Sequence, residues 1–315
     1  MTVPRLSVVV VTDHYRTIRR LVSCLREQTV RDQIEVVIVA PAGVDLGLDP
    51  EALEGFAGIR MVHVEQVNPM SAGRAAGVRA ATAPIIFLGE THSFPHPQLA
   101  QTLIEAHSQP WDVVVPGLAN ANPESALSWA CFLMDYGQWF EALPAGEIPG
   151  GPTWNVAYKK GLLMEIGDGL DSALSHGDDL AVALRARGHR AYFEPAAKLD
   201  HANISQPVWW FQQRYLCGRM VAASRRARWP RSKRLMYICA SPLIPFVVLS
   251  RLIRPLKFLA RSGTLPVATA PLLVLGAIAR TMGEVVGYAR GPGTRSQDRM
   301  DEYELHKLRF TSLSP

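Results

Sequence analysis

The run Leu6–Val11, LSVVVV, narrows the fold more than any other stretch, because an uncharged, β-branched block reads as a strand buried on both faces of a parallel sheet. Behind it, Ile18, Leu21, Val22 and Leu25 fall on one face of a helix, and residues 35–39 form the next apolar strand. Together they make a βαβ unit with a right-handed crossover. The alternation continues with a short strand at 60–64, a small-residue helix at 71–81 carrying Arg74 and Arg79, and a buried strand at 85–88. Pro97 suits the first turn of a helix running to about residue 107; residues 112–115 read as a strand and 123–140 as helical. The pattern predicts an α/β fold with a mostly parallel sheet flanked by helices.

In such sheets ligands collect at the carboxyl ends of the strands. Thr12 and Asp13 close the first strand, where a nucleotide would lie, although Asp13 alternatively caps the following helix. The segment 84–97, PIIFLGETHSFPHP, runs a strand straight into Glu90 and His92. In extended backbone these two face one side and can share a divalent cation; the other reading is a polar loop that merely ends a strand. Residues 147–157, EIPGGPTWNVA, form either a connector or a Gly/Pro loop that lets backbone approach a ligand closely. Gly177, Asp178 and Asp179 precede a helix ending near Gly188, whose dipole favours ionised carboxylates by roughly 0.3–1 kcal/mol. Capping explains one acid, and the second invites another role. Residues 191–193 and 198–201 read as short strands, the latter delivering His201 to a sheet edge as a structural or a functional group.

Charge is unevenly divided. Residues 1–200 hold 15 Lys and Arg against 23 Asp and Glu, whereas 201–315 hold 18 against 5. Between His201 and Gly283 there are 13 basic residues and no acidic one, so this half seeks an anionic surface. Two apolar stretches, 235–250 and 265–279, lie within it; they are shorter than the ~20 residues of a spanning helix and are broken by Pro242, Pro245, Pro266 and Pro271. Arg and Lys flank both, an arrangement that favours helices lying in or dipping into a leaflet, with a tilted spanning hairpin or burial against the soluble domain as the alternatives. Apolar runs among the charges weigh against nucleic acid as the partner. Cys24, Cys131, Cys217 and Cys239 are widely spaced, which fits a reducing compartment without a disulfide framework.

Four segments, in order, resemble glycosyltransferase family 2, the inverting GT-A enzymes that use nucleotide-sugar donors. They are LSVVVVTDHYRTIRRLVSCLREQTV, GRAAGVRAATAPIIFLGETHSFPHPQL, GPTWNVAYKKGLLMEIG and GDDLAVALRARGHRAYFEPAAKLDH. The resemblance spans about residues 6–219. It implies that Asp179, with Asp178 beside it, is the base that deprotonates the acceptor hydroxyl. Glu90 and His92 fall on the metal-binding Asp-x-Asp motif, and His201 on a histidine that joins it, implying a Mn2+ or Mg2+ cofactor. Thr12, Asp13 and Arg74 fall at the donor; Trp154 and Asn155 fall in the acceptor segment, and Arg214 in a loose match to the Gln-x-x-Arg-Trp motif of processive members. Ala40-Pro41-Ala42-Gly43 stands where the family has a base-contacting Asp-Asp-Gly-Ser, and Glu-Thr-His leaves one carboxylate where two are usual, favouring Mn2+ over Mg2+.

These readings predict a GT-A catalytic domain over 1–205, a basic, apolar, helical membrane-associated region over 206–290, and a tail over 291–315 that is flexible or loosely helical. The expected function is metal-dependent, hexosyltransferase-type transfer onto a lipid-linked or membrane-proximal glycan acceptor at the cytoplasmic face of the membrane, in building an envelope glycan. The alternative is a non-catalytic, membrane-associated sugar-nucleotide binder.

Overall fold

The computed structural model describes residues 2–175, 178–262 and 265–313, without the side chains of 261 and 262. Gly177 of the expected Gly-Asp-Asp run and the side chain of Arg261 thus lie outside the described residues. The strands are β1 (Leu6–Val11), β2 (Ile34–Pro41), β3 (Gly58–Val64), β4 (Ile85–Leu88), β5 (Ser93–Pro95), β6 (Val113–Asn120), β7 (Gly146–Ile148), β8 (Val156–Lys159) and β9 (Ala191–His201). Alternating with them are α1 (Tyr15–Arg26), α2 (Met70–Ala80), α3 (Leu99–Ala106), α4 (Ala126–Tyr136), α5 (Lys160–Met164), α6 (Leu170–Ala173) and α7 (Asp179–Ala186). The remaining helices are α8 (Pro207–Arg228), α9 (Arg231–Cys239), α10 (Ile244–Ser250), α11 (Ile253–Ser262), α12 (Thr269–Arg290) and α13 (Ser296–Leu305).

Among the described residues the strands form one sheet in the order β3-β2-β1-β4-β8-β6-β9-β5, with β7 on β9. β1 pairs parallel with β2 and β4, and β2 with β3, as the β-branched runs require; β8 then runs antiparallel between β4 and β6. The two short strands expected at 191–193 and 198–201 are one. β9 pairs with β6 on both sides of a register shift, where Pro116 meets Glu194 and Gly117 meets Lys198, so Pro195 bulges out without ending the strand. Because β1 and β4 are parallel, their carboxyl ends open on one edge, and Thr12, Asp13 and Glu90 meet there. Helix α2 packs close above this edge. A Cβ on Gly77 would meet Val9 Cγ1 at 2.4 Å, so only a small residue allows the approach that brings Arg74 to the site.

The basic half is built on α8 and α12. A Cβ on Gly283 would fall 1.9 Å from the Tyr215 carbonyl oxygen, and one on Gly218 2.0 Å from that of Arg280, so these helices touch backbone to backbone. Leu273, Ala277 and Tyr288 of α12 are buried, whereas Val274, Leu275, Ile278 and Met282 are exposed. One helix, α12, is long and apolar enough to cross a membrane, and α9 with the chain from Ser241 to Ala260 makes an apolar pair bent by 56°. The segment after Gly291, expected as a flexible or loosely helical tail, holds a helix and is packed down: Met300, Tyr303 and Phe310 enter the core, Tyr303 donates to Gln212, and Phe310 packs on Trp209. Its apolar spacing is short, and its partners lie far away in sequence.

Candidate active site

Beyond Leu88 the chain turns instead of running extended, since the Ser93 amide donates to the Glu90 carbonyl at 3.3 Å. The turn still brings Glu90 and His92 together, and the β5–β9 pairing sets His201 opposite Ser93. His92 Nε2 lies 3.3 Å and His201 Nε2 3.4 Å from Glu90 Oε2. The ligand atoms of all three residues lie within 4.8 Å of one another, and the side chains are buried.

Surrounding groups fix how these ligands point. His92 Nδ1 sits 3.1 Å from the Glu304 carbonyl oxygen and His201 Nδ1 2.9 Å from Asn203 Oδ1, and both partners are acceptors. Each ring therefore carries its proton on Nδ1 and turns the Nε2 lone pair toward Glu90. Those two Nε2 atoms and Glu90 Oε1 are buried without a hydrogen-bond partner. Two imidazole lone pairs and one carboxylate converging in a dry space fit a divalent cation of the Mn2+ kind.

Burial pushes the His92 ring down to about 3, so it is neutral and able to ligate. Burial alone would raise the Glu90 carboxyl; its polar surroundings, the two imidazoles first and then the Lys307 ammonium, outweigh it and hold the group well below the usual range. Burial, with Glu90 adding to it, raises the Tyr136 phenol, which stays protonated and donates to Glu90 at 3.3 Å.

Asn155, expected at the acceptor, braces the cation site. Its side-chain amide donates to Glu90, and its main-chain amide to the Leu88 carbonyl at 2.7 Å. To do both it adopts φ of 58°, a left-handed conformation that asparagine tolerates better than most residues. Next to it, Trp154 stacks under the buried guanidinium of Arg74, 4.2 Å from ring to cation, joining the expected donor and acceptor segments. Thr12 spends its hydroxyl on the turn into α1, bonding the His14 carbonyl at 2.8 Å. Asp13 does not cap that helix: the cap is His14, whose Nδ1 accepts from the Arg16 amide, and Asp13 instead meets His306 at 3.1 Å.

Asp178 and Asp179 face α8. Asp178 pairs with Arg225 at 3.1 Å and with Arg228; Asp179 accepts from Ser224 at 2.7 Å and pairs with Arg228 at 3.0 Å. Asp178 occupies the cap position of α7 without making the capping bond, so arginines take the part expected of the helix terminus. Arg214, expected at the acceptor, is buried and committed elsewhere. Its guanidinium grips both oxygens of Asp135, locking α4 to α8, while the adjacent Gln213 lines the cavity instead. That cavity, of about 310 Å³, has Tyr136, Trp154, Asp178, Arg225, Glu304 and Lys307 on its lining, and Tyr136 and Glu304 also contact Glu90 and His92.

Residues 7–167, just over half of the chain, match the profile described as Glycosyl transferase family 2. The chain belongs to this family. The activity that goes with family 2 membership is sugar transfer from a nucleotide-sugar donor. No curated protein sequence matches the chain. In fold, this family 2 transferase is similar to the mannosyltransferase PcManGT from Pyrobaculum calidifontis, solved with GDP-Man and Mn2+, at 18% identity and a TM-score of 0.50 over 98% of this chain and 88% of that one. It is also similar to GalNAc-T7, solved with UDP, GalNAc and Mn2+, at 13% identity and a TM-score of 0.45 over 64% of this chain and 44% of that one. The GT-A architecture expected from the sequence is thus present. Sequence reading missed Tyr136, Glu304, His306 and Lys307. Their signal was an acidic cluster, Asp298, Asp301, Glu302 and Glu304, reappearing after the long basic stretch.

Proposed function

We propose that the chain is an inverting, metal-dependent glycosyltransferase of the hexosyl type that moves a sugar from a nucleotide donor to a lipid-linked or membrane-proximal acceptor. The observation that carries this is the convergence of two Nε2 lone pairs and one carboxylate at the carboxyl edge of β4, with a cavity nearby that has Asp178 on its wall. Glu90, His92 and His201 would hold the ion, which when bound neutralises charge on the departing diphosphate. Asn155 and Tyr136 keep the Glu90 carboxylate aimed by donating to it. Arg74, stacked on Trp154, offers a fixed cation on the donor side. Asp179, or Asp178 on the cavity wall, takes the acceptor hydroxyl proton as the new C–O bond forms on one face of the sugar and the bond to the diphosphate breaks on the other. That single displacement inverts the anomeric centre.

The membrane part rests on exposed apolar side chains beside cations. Leu235, Met236, Leu243, Phe246, Val247 and Ile253 are exposed on α9 to α11, with Lys233, Arg234, Arg251 and Arg254 among them. Each such cation near an anionic leaflet contributes about 1 kcal/mol. A screen of nucleotide sugars for Mn2+-dependent donor hydrolysis and transfer tests the chemistry; no turnover of any donor with any divalent ion would end the reading. Flotation on anionic vesicles tests the surface, and protein that stays soluble at both low and high salt would remove the membrane from it.

A further inference from the structure

Lys307 stands out among groups to which the mechanism above gives no part. It is almost wholly buried, yet it is one of the residues that line the cavity described above. Its carboxylate partner is Glu304, at 3.1 Å. That carboxylate lies 3.6 Å from His92 Nε2, and the same residue's carbonyl oxygen takes the His92 Nδ1 proton. The end of α13 is itself pinned by Thr91, whose hydroxyl reaches the carbonyls of Glu304 and Leu305 at 3.2 and 3.0 Å. The lysine is thereby tied through Glu304 to the residues that would hold the ion.

We propose that Lys307 binds the diphosphate of the donor, as a second cation set against the ion held by Glu90, His92 and His201, with Glu304 positioning it. This rests on the nucleotide-sugar reading above. The charges explain the need. A divalent ion with one carboxylate ligand keeps one net positive charge, whereas a nucleotide-sugar diphosphate brings two negative charges and gains another as the sugar leaves. An ammonium beside the ion offsets that growing charge where little water competes. Burying a lysine with its carboxylate is costly compared with packing apolar side chains of the same size, so the pair has no evident purpose as packing. Burial alone would lower the ammonium's pKa, and Glu304 and Glu90 more than reverse this, so it remains charged.

The test is calorimetric titration of the full chain with Mn2+ alone, and with inorganic pyrophosphate, UDP and GDP in the presence of Mn2+. Lys307→Met should bind Mn2+ alone at least as well as wild type, but Mn2+-pyrophosphate about 10- to 100-fold more weakly, the range expected for losing a charged hydrogen bond. Lys307→Arg should recover most of the loss. Because Lys307→Met leaves a buried carboxylate unpaired, the double variant Glu304→Gln/Lys307→Met provides a neutral replacement, and its pyrophosphate affinity should be equally low. Wild-type pyrophosphate affinity in either variant overturns the assignment, as does an equal loss of Mn2+ binding, which would mark a purely structural lysine. A wild-type chain that binds neither pyrophosphate nor either nucleotide with Mn2+ would overturn the nucleotide-sugar reading together with this one.

Discussion

Replacing Glu90 by Gln keeps the shape of the side chain and removes the only negative charge among the three candidate ligands. Glu90 is buried and receives hydrogen bonds from Asn155 and Tyr136; the Gln carbonyl oxygen can accept both, and a neutral group costs less to bury than a carboxylate. The cation-free variant should therefore melt within a few degrees of the cation-free wild type. With Mn2+ the two should separate. Loss of groups that merely orient a ligand costs 10- to 100-fold in metal affinity, so loss of the carboxylate itself should cost at least about 100-fold. At Mn2+ one hundred times the wild-type Kd, binding stabilises the wild type by about 2.7 kcal/mol; with affinity 100-fold weaker the same Mn2+ gives only about 0.4 kcal/mol. At roughly 2–4 °C per kcal/mol for a chain of this class, the Mn2+ shift should drop from roughly 5–10 °C to about 1 °C. Thermal-shift measurement against Mn2+ concentration reads this, and calorimetry gives Kd directly. An undiminished shift in Glu90→Gln would show that the three residues do not bind the ion.

Asp179→Asn should slow transfer by roughly 100-fold or more while changing donor affinity less than about twofold, and Asp178→Asn should cost less; wild-type turnover in the Asp179 variant would refute its role as base. Arg214→Met should destabilise the fold by up to about 3 kcal/mol by taking the guanidinium from the partly exposed Asp135 carboxylate, with the KM for acceptor in the folded fraction unchanged; a raised KM without lost stability would return Arg214 to the acceptor. His107 is pushed by burial down to about 4 from an ordinary 6.5, so between these values the unfolded chain binds the proton and the native one does not. Its contribution is intact above pH 6.5 and falls as pH drops toward 4, at up to about 1.4 kcal/mol per unit. His107→Leu should flatten that part of the curve of melting temperature against pH, and an identical acid profile would refute the assignment.

What could be read in the sequence was whatever repeats locally. The β-branched runs of β1 and β2, the small-residue α2 and the strand leading to Glu90 each carry their periodicity within a dozen residues, so their order identified the architecture and the edge where the site lies. The three candidate cation ligands were also named from the sequence, two by adjacency and His201 only through the family resemblance. The partners that give those ligands direction were not. Asn155 meets Glu90 from 65 residues away, and Glu304 meets His92 from 212 away. No spacing rule links such residues, because sheet order and the return of α13 to the loop after β4 bring them together. The roles of Arg214 and of the acidic pair were hidden similarly, since the neighbours that claim them lie on a helix whose packing angle the sequence does not display.

The basic half shows why an apolar stretch is poor evidence for a detachable membrane anchor. Residues 206–290 read from the sequence as a membrane-associated region apart from the catalytic domain, yet α12 lies against α8 with Gly283 in backbone contact and with Leu273 and Tyr288 in the interior. Arg225 of α8, which also donates to the Tyr288 hydroxyl of α12 at 3.3 Å, pairs with Asp178, and Arg228 pairs with both Asp178 and Asp179. The α8–α12 layer thus carries both the exposed apolar residues Val274, Ile278 and Met282 and the arginines that hold the acids assigned to the acceptor proton. Glu284 ties the layer together, reaching Arg280 at 3.3 Å and lying 4.0 Å from Arg225. Cutting before residue 235 would take away α12, the Glu304 carbonyl that orients His92 and the core residues Met300, Tyr303 and Phe310, uncovering the apolar face of α8 in exchange. The helices that would meet a membrane and those that complete the site are the same helices, so affinity for the surface and competence for transfer should fail together when the chain is shortened.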